Sequence, residues 1–445
     1  MIKQKLLATT ALVSLFAGSA FADGAAAPMV NDMSVKIGGN FDAHAIGSID
    51  DSANNQITKN NNDIGFSTDA EVWLEAKSTT AKGLEYGAHI GISTHANSYK
   101  NTSKGSDRSF LWLEHGDLGR MEFGSNNDAS EAMRLGADNV AVATGGISGA
   151  WVQSLSSTLF NPTRAVALDN FIMSPWNVGD NAMDFDLQGA ASETNSSDSW
   201  HIEKSRKVNY YTPKMNGFQL GISYTPDTEN RGNGLAGVIS NASMPNSFTS
   251  STSAANKNVI SGGITWDGKV MNDVMGKFSL VGVTGNTADT SDSSDASVEK
   301  SKDIEGIDVG TVLTYKDWRA AASYGWLGES GFQSAATNIE DSHYGTFGLG
   351  YKMDKLDTSV TYMYGRKNHN TTQLVSLGTE YSLAAGIMPY AEATYYNLKL
   401  KNQGGLALTG SGSNATADTA AASTASGDAG HAEGTVFVLG TKLKF

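Results

Sequence analysis

The stretch "GTVFVLGTKLKF", residues 434–445, predicts a β-strand with two different faces. One parity carries mostly apolar side chains: Phe437, Leu439, Leu443 and Phe445. The other parity carries glycines and lysines around two valines: Gly434, Gly440, Lys442 and Lys444. A period of two places the first set on a dry face and the second on a wet face. Because a last strand leaves an exposed edge, we expect another strand to pair with it.

Residues 1–22 have the three parts of a secretory signal peptide. Lys3 and Lys5 precede an apolar run, residues 6–16, and a small-residue cleavage site follows at Ala20-Phe21-Ala22. We therefore predict that residues 1–22 are removed and that residues 23–445 form a single domain. No later stretch offers about 18 consecutive apolar residues, so we expect no helix to span a membrane.

The composition limits the possible partners. The chain has 32 Lys and Arg against 46 Asp and Glu, a formal charge of -14, and a nucleic-acid-binding protein would need a basic face. An exported chain without cysteine must fold without disulfides. With 49 Gly and 7 Pro, the chain is suited to long strands joined by tight turns.

Sixteen stretches have the character of strands. They are residues 33–47, 63–78, 83–95, 107–115, 117–124, 203–213, 216–226, 257–266, 273–285, 304–315, 318–327, 341–352, 355–365, 371–383, 386–400 and 431–445. The connections between them alternate between polar stretches, most of them long, and short turns. The first kind comprises 48–62, 96–106, 125–202, 227–256, 286–303, 328–340, 366–370 and 401–430. This alternation is typical of a membrane barrel, whose two ends face different environments.

The predicted strands have one apolar and one polar face. Phe218, Leu220, Ile222 and Tyr224 share one side of their strand, whereas Val312 breaks the alternation of 304–315. A soluble sandwich would also alternate, but sixteen strands with aromatic residues at their ends favour a barrel with aromatic girdles. We therefore predict an all-β, sixteen-stranded antiparallel transmembrane β-barrel. Pairing of the last strand with residues 33–47 would leave no edge.

Four features carry a resemblance to a known family. They are "RKVNYYTPKMNGFQLGISYTPD" (206–227), "LGTEYSLAAGIMPYAEATYYNLK" (377–399), "GDLGRMEFGS" (116–125) and the terminal Phe445. Together they resemble the general diffusion porins of Gram-negative outer membranes, in particular the trimeric sixteen-stranded proteobacterial type. The resemblance implies short periplasmic turns, long extracellular loops and a passive, water-filled channel for small hydrophilic solutes and ions.

The resemblance also implies partners. These are a homotrimer, outer-membrane lipid and lipopolysaccharide, and the barrel-assembly machinery, which would read Phe445 as an assembly signal. It implies no catalytic residue, no cofactor and no metal.

The resemblance further implies that the third long connection, residues 125–202, folds into the barrel as a constriction loop. Because charged rings select ions, we expect Asp128, Glu131 and Asp138 to line the pore on the loop side. The family commonly places basic side chains on the facing wall. Here three such positions hold Asn40, Asp63 and Ser125, and the basic residues on lumen parity are Lys36, Lys207, Lys277 and Arg319.

An acidic loop that faces a depleted basic wall predicts moderate cation selectivity. Two alternatives remain open: an outer-membrane barrel enzyme, either a lipase or a protease, and a surface adhesin or antigen with secondary channel activity. The segment 407–430 is small and polar and would suit a surface-exposed variable region. Residues 289–295, "DTSDSSD", are oxygen-rich as calcium sites are, but their spacing favours a solvated loop.

Overall fold

The sheet of this protein closes on itself. The computed structural model describes residues 33–50, 64–95, 106–155, 158–159, 166–167, 171–175, 202, 205–228, 256–287, 302–330, 332, 339–401 and 430–445. In this part of the chain, sixteen antiparallel strands follow one another around a closed barrel. This confirms the predicted fold class. Among the described residues, no helix has the length and apolar character needed to cross a membrane.

The barrel strands are numbered β1 to β16 in chain order. They are Ser34–Asp50, Ile64–Thr79, Glu85–His95, Ser106–His115, Gly119–Ser125, Arg206–Tyr211, Phe218–Asp227, Asn256–Met271, Val274–Thr287, Ile304–Tyr315, Trp318–Gly328, Ser342–Met353, Leu356–Lys367, Asn370–Tyr381, Ile387–Leu400 and Gly430–Lys444. A further two-stranded ladder, Thr158–Leu159 with Val166–Ala167, lies in the connection between β5 and β6.

The barrel is closed by β1 and β16. Their register runs from Asn40 opposite Lys444 to Asp50 opposite Gly434. The Gly39 N–H donates to the Phe445 carbonyl at 2.9 Å, and the Phe445 N–H donates to the Gly39 carbonyl at 3.1 Å. The apolar stretch that ends the sequence is therefore a strand with a hydrogen-bonded neighbour on each side. Closure removes the edge that it would otherwise present.

The outer face of the barrel is apolar. Phe66 is 86% exposed, Ile37 69% and Leu439 67%, and each alternates with inward-facing neighbours along its strand. Aromatic rings cluster at the end with the short turns, where Trp266 contacts Phe218 and Phe278 at centroid distances of 6.5 and 5.6 Å. An apolar band with aromatic rings at its rim is the surface that a bilayer requires of a barrel.

One connection differs from its expected length. β13 and β14 are joined by Asn368 and His369 alone, whereas the sequence predicted a break at 366–370. Asn368 has a φ of 55°, a left-handed conformation that tight hairpins need and that Asn tolerates. The predicted signal peptide 1–22, the segment 289–295 and all but the last residue of 407–430 lie outside the described residues.

Gly386 provides a test of how the turns support closure. It has a φ of 79°, and a Cβ there would overlap the Lys444 carbonyl oxygen. The Lys444 N–H also donates to the Gly386 carbonyl at 2.8 Å. We predict that Gly386→Ala destabilises the barrel by about 1–3 kcal/mol through backbone strain and steric overlap. The measurement is the temperature at which the folded band converts to the unfolded band on an SDS gel.

The matched control is Gly116→Ala in the turn between β4 and β5. No heavy atom lies within 4 Å of the position of its added Cβ, so its conversion temperature should stay at the wild-type value. Equal conversion temperatures for the two variants would contradict the prediction.

Candidate functional site

The connection between β5 and β6, residues 126–205, is named loop 3, and its residues 126–155 and 171–173 pack against the inner wall of the barrel. It begins with helix α1, Ala129–Met133, and continues through three 3-10 turns. These turns are Ala137–Asn139, Gly146–Ser148 and Ala150–Ser154. The main packing partners of α1 and the turns are β6–β9, β11–β16 and β1. The predicted inward course of the third connection is confirmed for these residues.

Hydroxyl groups on the inner wall hold the backbone of loop 3. Each accepts a hydrogen bond from a loop N–H group, at distances between 2.6 and 3.2 Å. The pairs are Ala129 with Ser223, Leu135 with Ser279, Ala137 with Thr346, Val142 with Ser359 and Ile147 with Thr361. Because the loop is irregular, its buried N–H groups need partners outside the loop, and the wall supplies them.

A buried carboxylate on β15 fastens the middle of loop 3. Glu392 is 3% exposed and accepts three hydrogen bonds from the loop. The donors are the Thr144 N–H at 3.1 Å, the Thr144 hydroxyl at 2.6 Å and the Gly146 N–H at 3.0 Å. Hydrogen bonds to a charged acceptor are about twice as strong as neutral ones, so Glu392 is a strong anchor.

Apolar contacts complete the seat of loop 3. Trp151 is fully buried and stacks on Tyr396 of β15 at a centroid distance of 6.0 Å. Val312, which breaks the alternation of β10, faces inward and packs with Val140 of the loop and Ala321 of β11. An apolar side chain on the lumen side is therefore explained by the loop that covers it.

Of the three acids predicted on the loop side, Asp128 has a structural position. It is 1% exposed and caps the N-terminus of α1 by accepting from the N–H groups of Ser130 and Glu131. It also accepts from the Ser261 hydroxyl of β8 at 2.7 Å. Asp at an N-cap satisfies helix donors and anchors α1 to the wall.

The other two predicted acids, Glu131 and Asp138, are less buried than Asp128. Glu131 is half-buried and accepts from the Asn127 side-chain amide at 2.7 Å. Asp138 forms an ion pair with Arg134 at 2.6 Å. Burial is the largest single influence and lowers the pKa of Arg134, but the charge and hydrogen bond of Asp138, together with Tyr344 and Asp308, raise this pKa above its ordinary value. Arg134 therefore offsets the charge of Asp138.

Three of the predicted wall residues face the lumen. One of them is neutral, and the two lysines lie near strand ends. Asn40 on β1 donates from its side-chain amide to Glu71 at 3.4 Å. Lys36 on β1 and Lys277 on β9 are exposed and lie near the end of the barrel with the short turns.

The remaining predicted wall residues are engaged or lie elsewhere. Lys207 is 2% exposed, and its ammonium group donates to the carbonyl oxygens of Ser205 and Asn126. Arg319 forms an ion pair with Asp357 of β13. Ser125 is buried opposite Arg206 in the ladder. Asp63 lies outside the described residues, immediately before β2.

The inner face of β1 and β2 carries an acidic set that the sequence analysis missed. These side chains, named the β1–β2 carboxylates, are Asp42, Asp69, Glu71 and Glu75. They share the inward parity of their strands, because the intervening Phe41, Val72 and Leu74 are exposed on the outer face. The alternation in "STDAEVWLEAK", residues 67–77, was the signal that could have revealed the β2 members.

Basic side chains gather instead at a recess below α1. A cavity of about 660 Å³ opens there, with Arg108, Arg120 and Lys214 in its lining. Arg120 binds two carboxylates, Glu122 at 2.7 Å and Glu114 at 3.0 Å. The charge of Arg120 is therefore largely compensated within the wall.

Comparison with known proteins identifies the architecture. The profile of the Gram-negative porin family matches residues 8–402. This chain belongs to the Gram-negative porins. An uncharacterized protein of Rickettsia felis is 29% identical over 378 residues, covering 78% of this chain and 81% of the relative. An uncharacterized protein of Rickettsia bellii is 25% identical and covers 90% and 94% of the two chains.

A solved porin shares the fold. The anion-selective porin from Comamonas acidovorans superimposes with a TM-score of 0.57 at 14% identity, covering 93% of this chain and 100% of that one. The family and the closed sixteen-stranded barrel place this porin in the Gram-negative outer membrane, where the barrel spans the bilayer. Both point to a channel rather than an enzyme.

The Glu392 anchor can be tested by amide exchange. We predict that Glu392→Gln weakens the hold on residues 143–147, because an amide side chain offers one acceptor oxygen and no charge. Hydrogen bonds to charged groups contribute about 1.5–3 kcal/mol, so amide exchange in this segment should accelerate by about 10- to 100-fold. Hydrogen–deuterium exchange with mass spectrometry on the detergent-solubilised protein measures it.

Glu433→Gln is the matched control, because Glu433 on β16 binds Tyr395 and Asn397 of the neighbouring strand. Exchange in residues 143–147 should keep its wild-type rate in this variant. An unchanged rate in Glu392→Gln would show that the carboxylate does not hold the loop.

Proposed function

We propose that this porin is a passive diffusion channel for small hydrophilic solutes and ions and that it is moderately cation-selective. The observation that carries the proposal is an imbalance in how the charges of the inner wall are paired. Charges that protrude into a narrow aqueous lumen are incompletely screened, since the Debye length is about 8 Å at physiological salt. The sign of the charge without a partner then sets the potential in the channel.

Most of the basic side chains that the structure describes on the wall have acidic or carbonyl partners. Lys442 binds Glu380 at 3.1 Å and Lys77 binds Glu85 at 2.7 Å, in addition to the pairs of Arg120, Arg134 and Arg319 described above. Exposed lysines such as Lys36 and Lys277 lie near the periplasmic mouth. In the part of the chain that the structure describes, few positive charges therefore protrude along the middle of the wall.

The β1–β2 carboxylates support a negative potential in the channel. Glu71 accepts from the neutral side chain of Asn40, and among the described residues neither Glu71 nor Glu75 has an ion-pair partner. Asp42 accepts from the Tyr390 hydroxyl at 2.6 Å and lies 3.3 Å from His44. We assign the negative potential of the channel to Asp42, Glu71 and Glu75, and we assign Asp128 to the support of α1.

The selectivity proposed here differs from that of the structural neighbour. The Comamonas acidovorans protein is described as anion-selective, whereas this chain has its predicted basic positions filled by Asn40 and Ser125. A shared barrel does not fix the sign of selectivity, because the sign depends on inward-facing side chains that vary independently of the ladder.

We further propose the partners of a general porin. The apolar outer band would contact outer-membrane lipid and the inner leaflet of lipopolysaccharide, and three copies would form a homotrimer. Phe445, whose backbone closes the ladder with Gly39, would be read by the barrel-assembly machinery. The leader 1–22 would direct export before assembly.

Reversal potentials test the selectivity. Across a tenfold KCl gradient in a planar bilayer, the wild-type channel should give a potential of cation sign. The double variant Glu71→Gln with Glu75→Gln should reduce the permeability ratio of potassium over chloride by roughly twofold or more, because two lumen charges are removed. A potential of anion sign for the wild type would overturn the proposal.

The control removes the same number of charges elsewhere. Asp117→Asn with Asp354→Asn changes two exposed acids in the short periplasmic turns. Its permeability ratio should remain close to that of the wild type. A drop as large as that of the Glu71 and Glu75 variant would show that overall charge, and not the β1–β2 carboxylates, sets the selectivity.

A further inference from the structure

Three aromatic rings form a row on the inner wall of the barrel, away from the main seat of loop 3. The aromatic row consists of Trp73 on β2, His89 on β3 and Phe110 on β4. The Trp73 and His89 centroids are 6.1 Å apart with planes at 24°, and those of His89 and Phe110 are 5.2 Å apart with planes at 22°. The rings are therefore close to parallel across three neighbouring strands.

The row faces the lumen and not the lipid. The neighbours of its members along the strands, Leu74, Ile90 and Leu111, are exposed on the apolar outer face. Trp73 lies over Gly38 of β1, where a Cβ would overlap the indole ring, so the indole rests against the wall. Because Gly38 has no side chain, the Trp73 indole can lie flat against the backbone of β1.

The aromatic row is not a packing core. Its three side chains are half-buried, whereas the Trp151 and Tyr396 pair under loop 3 is almost completely buried. The strands β2, β3 and β4 are not among the main packing partners of α1 and the three 3-10 turns. The three rings are therefore partly accessible from the lumen side of the wall.

Carboxylates flank the Trp73 end of the row. Glu71 and Glu75 stand two residues before and after Trp73 on the same inward face, and Lys36 lies opposite Glu75 in the β1–β2 register. A Cβ added at Gly91, opposite Trp73 on β3, would lie 3.2 Å from Glu71 Oε1 and 3.6 Å from His89 Nε2. At the other end, Arg108 lies two residues before Phe110. The Trp73 end therefore carries the negative charge.

We propose that the aromatic row with Glu71 and Glu75 is a binding subsite for organic cations that join an ammonium group to a flat apolar body. The ammonium group would lie between the two carboxylates and over the Trp73 face, where the ring quadrupole attracts cations. The apolar body would stack toward Phe110. This inference rests on the channel of the proposed function, because the solute reaches the row through the lumen.

Block of single-channel current tests the subsite. The probe is benzyltrimethylammonium, compared with tetramethylammonium, which lacks the ring, and with benzenesulfonate, which carries the opposite charge. In KCl across a planar bilayer, benzyltrimethylammonium should interrupt the current at a lower concentration than either of the others. Trp73→Ala should raise its half-blocking concentration by about fivefold to thirtyfold.

Two further variants keep the test decisive. Phe110→Leu conserves apolar volume and should weaken block by benzyltrimethylammonium while leaving tetramethylammonium unaffected. Phe41→Leu changes an aromatic side chain on the lipid-facing side of β1 and should leave all three probes unchanged. Equal block in wild type, Trp73→Ala and Phe110→Leu, or equal block by benzenesulfonate, overturns the subsite.

Failure of the subsite is distinguishable from failure of the proposed function. A KCl current of cation sign without block by benzyltrimethylammonium rejects the subsite and leaves the channel intact. Absence of any KCl current from correctly folded protein rejects both.

Discussion

Every backbone N–H and C=O group within a bilayer needs a partner inside the protein, and this constraint governs the whole structure. Lipid offers no hydrogen bonds, so a spanning sheet must have no edge. The ladder between β1 and β16 meets this requirement, down to the reciprocal bonds of Gly39 and Phe445. An apolar outer face then follows, because closure leaves side chains alone in contact with lipid. The alternation along each strand expresses both requirements at once.

The same constraint operates on loop 3, with a different solution. An irregular segment that lies against the wall cannot satisfy its own N–H groups, and here hydroxyl and carboxylate side chains of the strands accept them. Ser359 and Glu392 lie more than 200 residues from the loop groups that they bind. Side chains of strands in the second half of the chain therefore determine the position of the loop. The position of the loop is a property of the barrel wall as much as of the loop.

The difference between what could and could not be predicted follows from this arrangement. Period two in 434–445 and in 218–224 was enough to predict strands, closure and an apolar exterior, because these depend on local alternation. The role of Asp128 could not be predicted in the same way. Its carboxylate caps a five-residue helix and binds Ser261, and both depend on contacts that arise only when the loop is inside the barrel. Val312 breaks the alternation of its strand in the sequence, and the structure explains this because Val140 of loop 3 packs on its inward-facing side chain.

Net charge was similarly a poor guide to the lumen. A formal charge of -14 describes the whole chain, whereas a channel responds to charges that protrude without a partner. Arg319 and Lys442 form ion pairs with acids, so neither they nor these acids contribute an unpaired charge to the lumen. On the described inner faces of β2 to β4, outside the main seat of loop 3, Glu71 and Glu75 lie beside half-exposed rings. Among the described residues, loop 3 thus packs on one part of the inner wall and fixes its geometry, whereas the inner faces of β2 to β4 lie outside its main contacts.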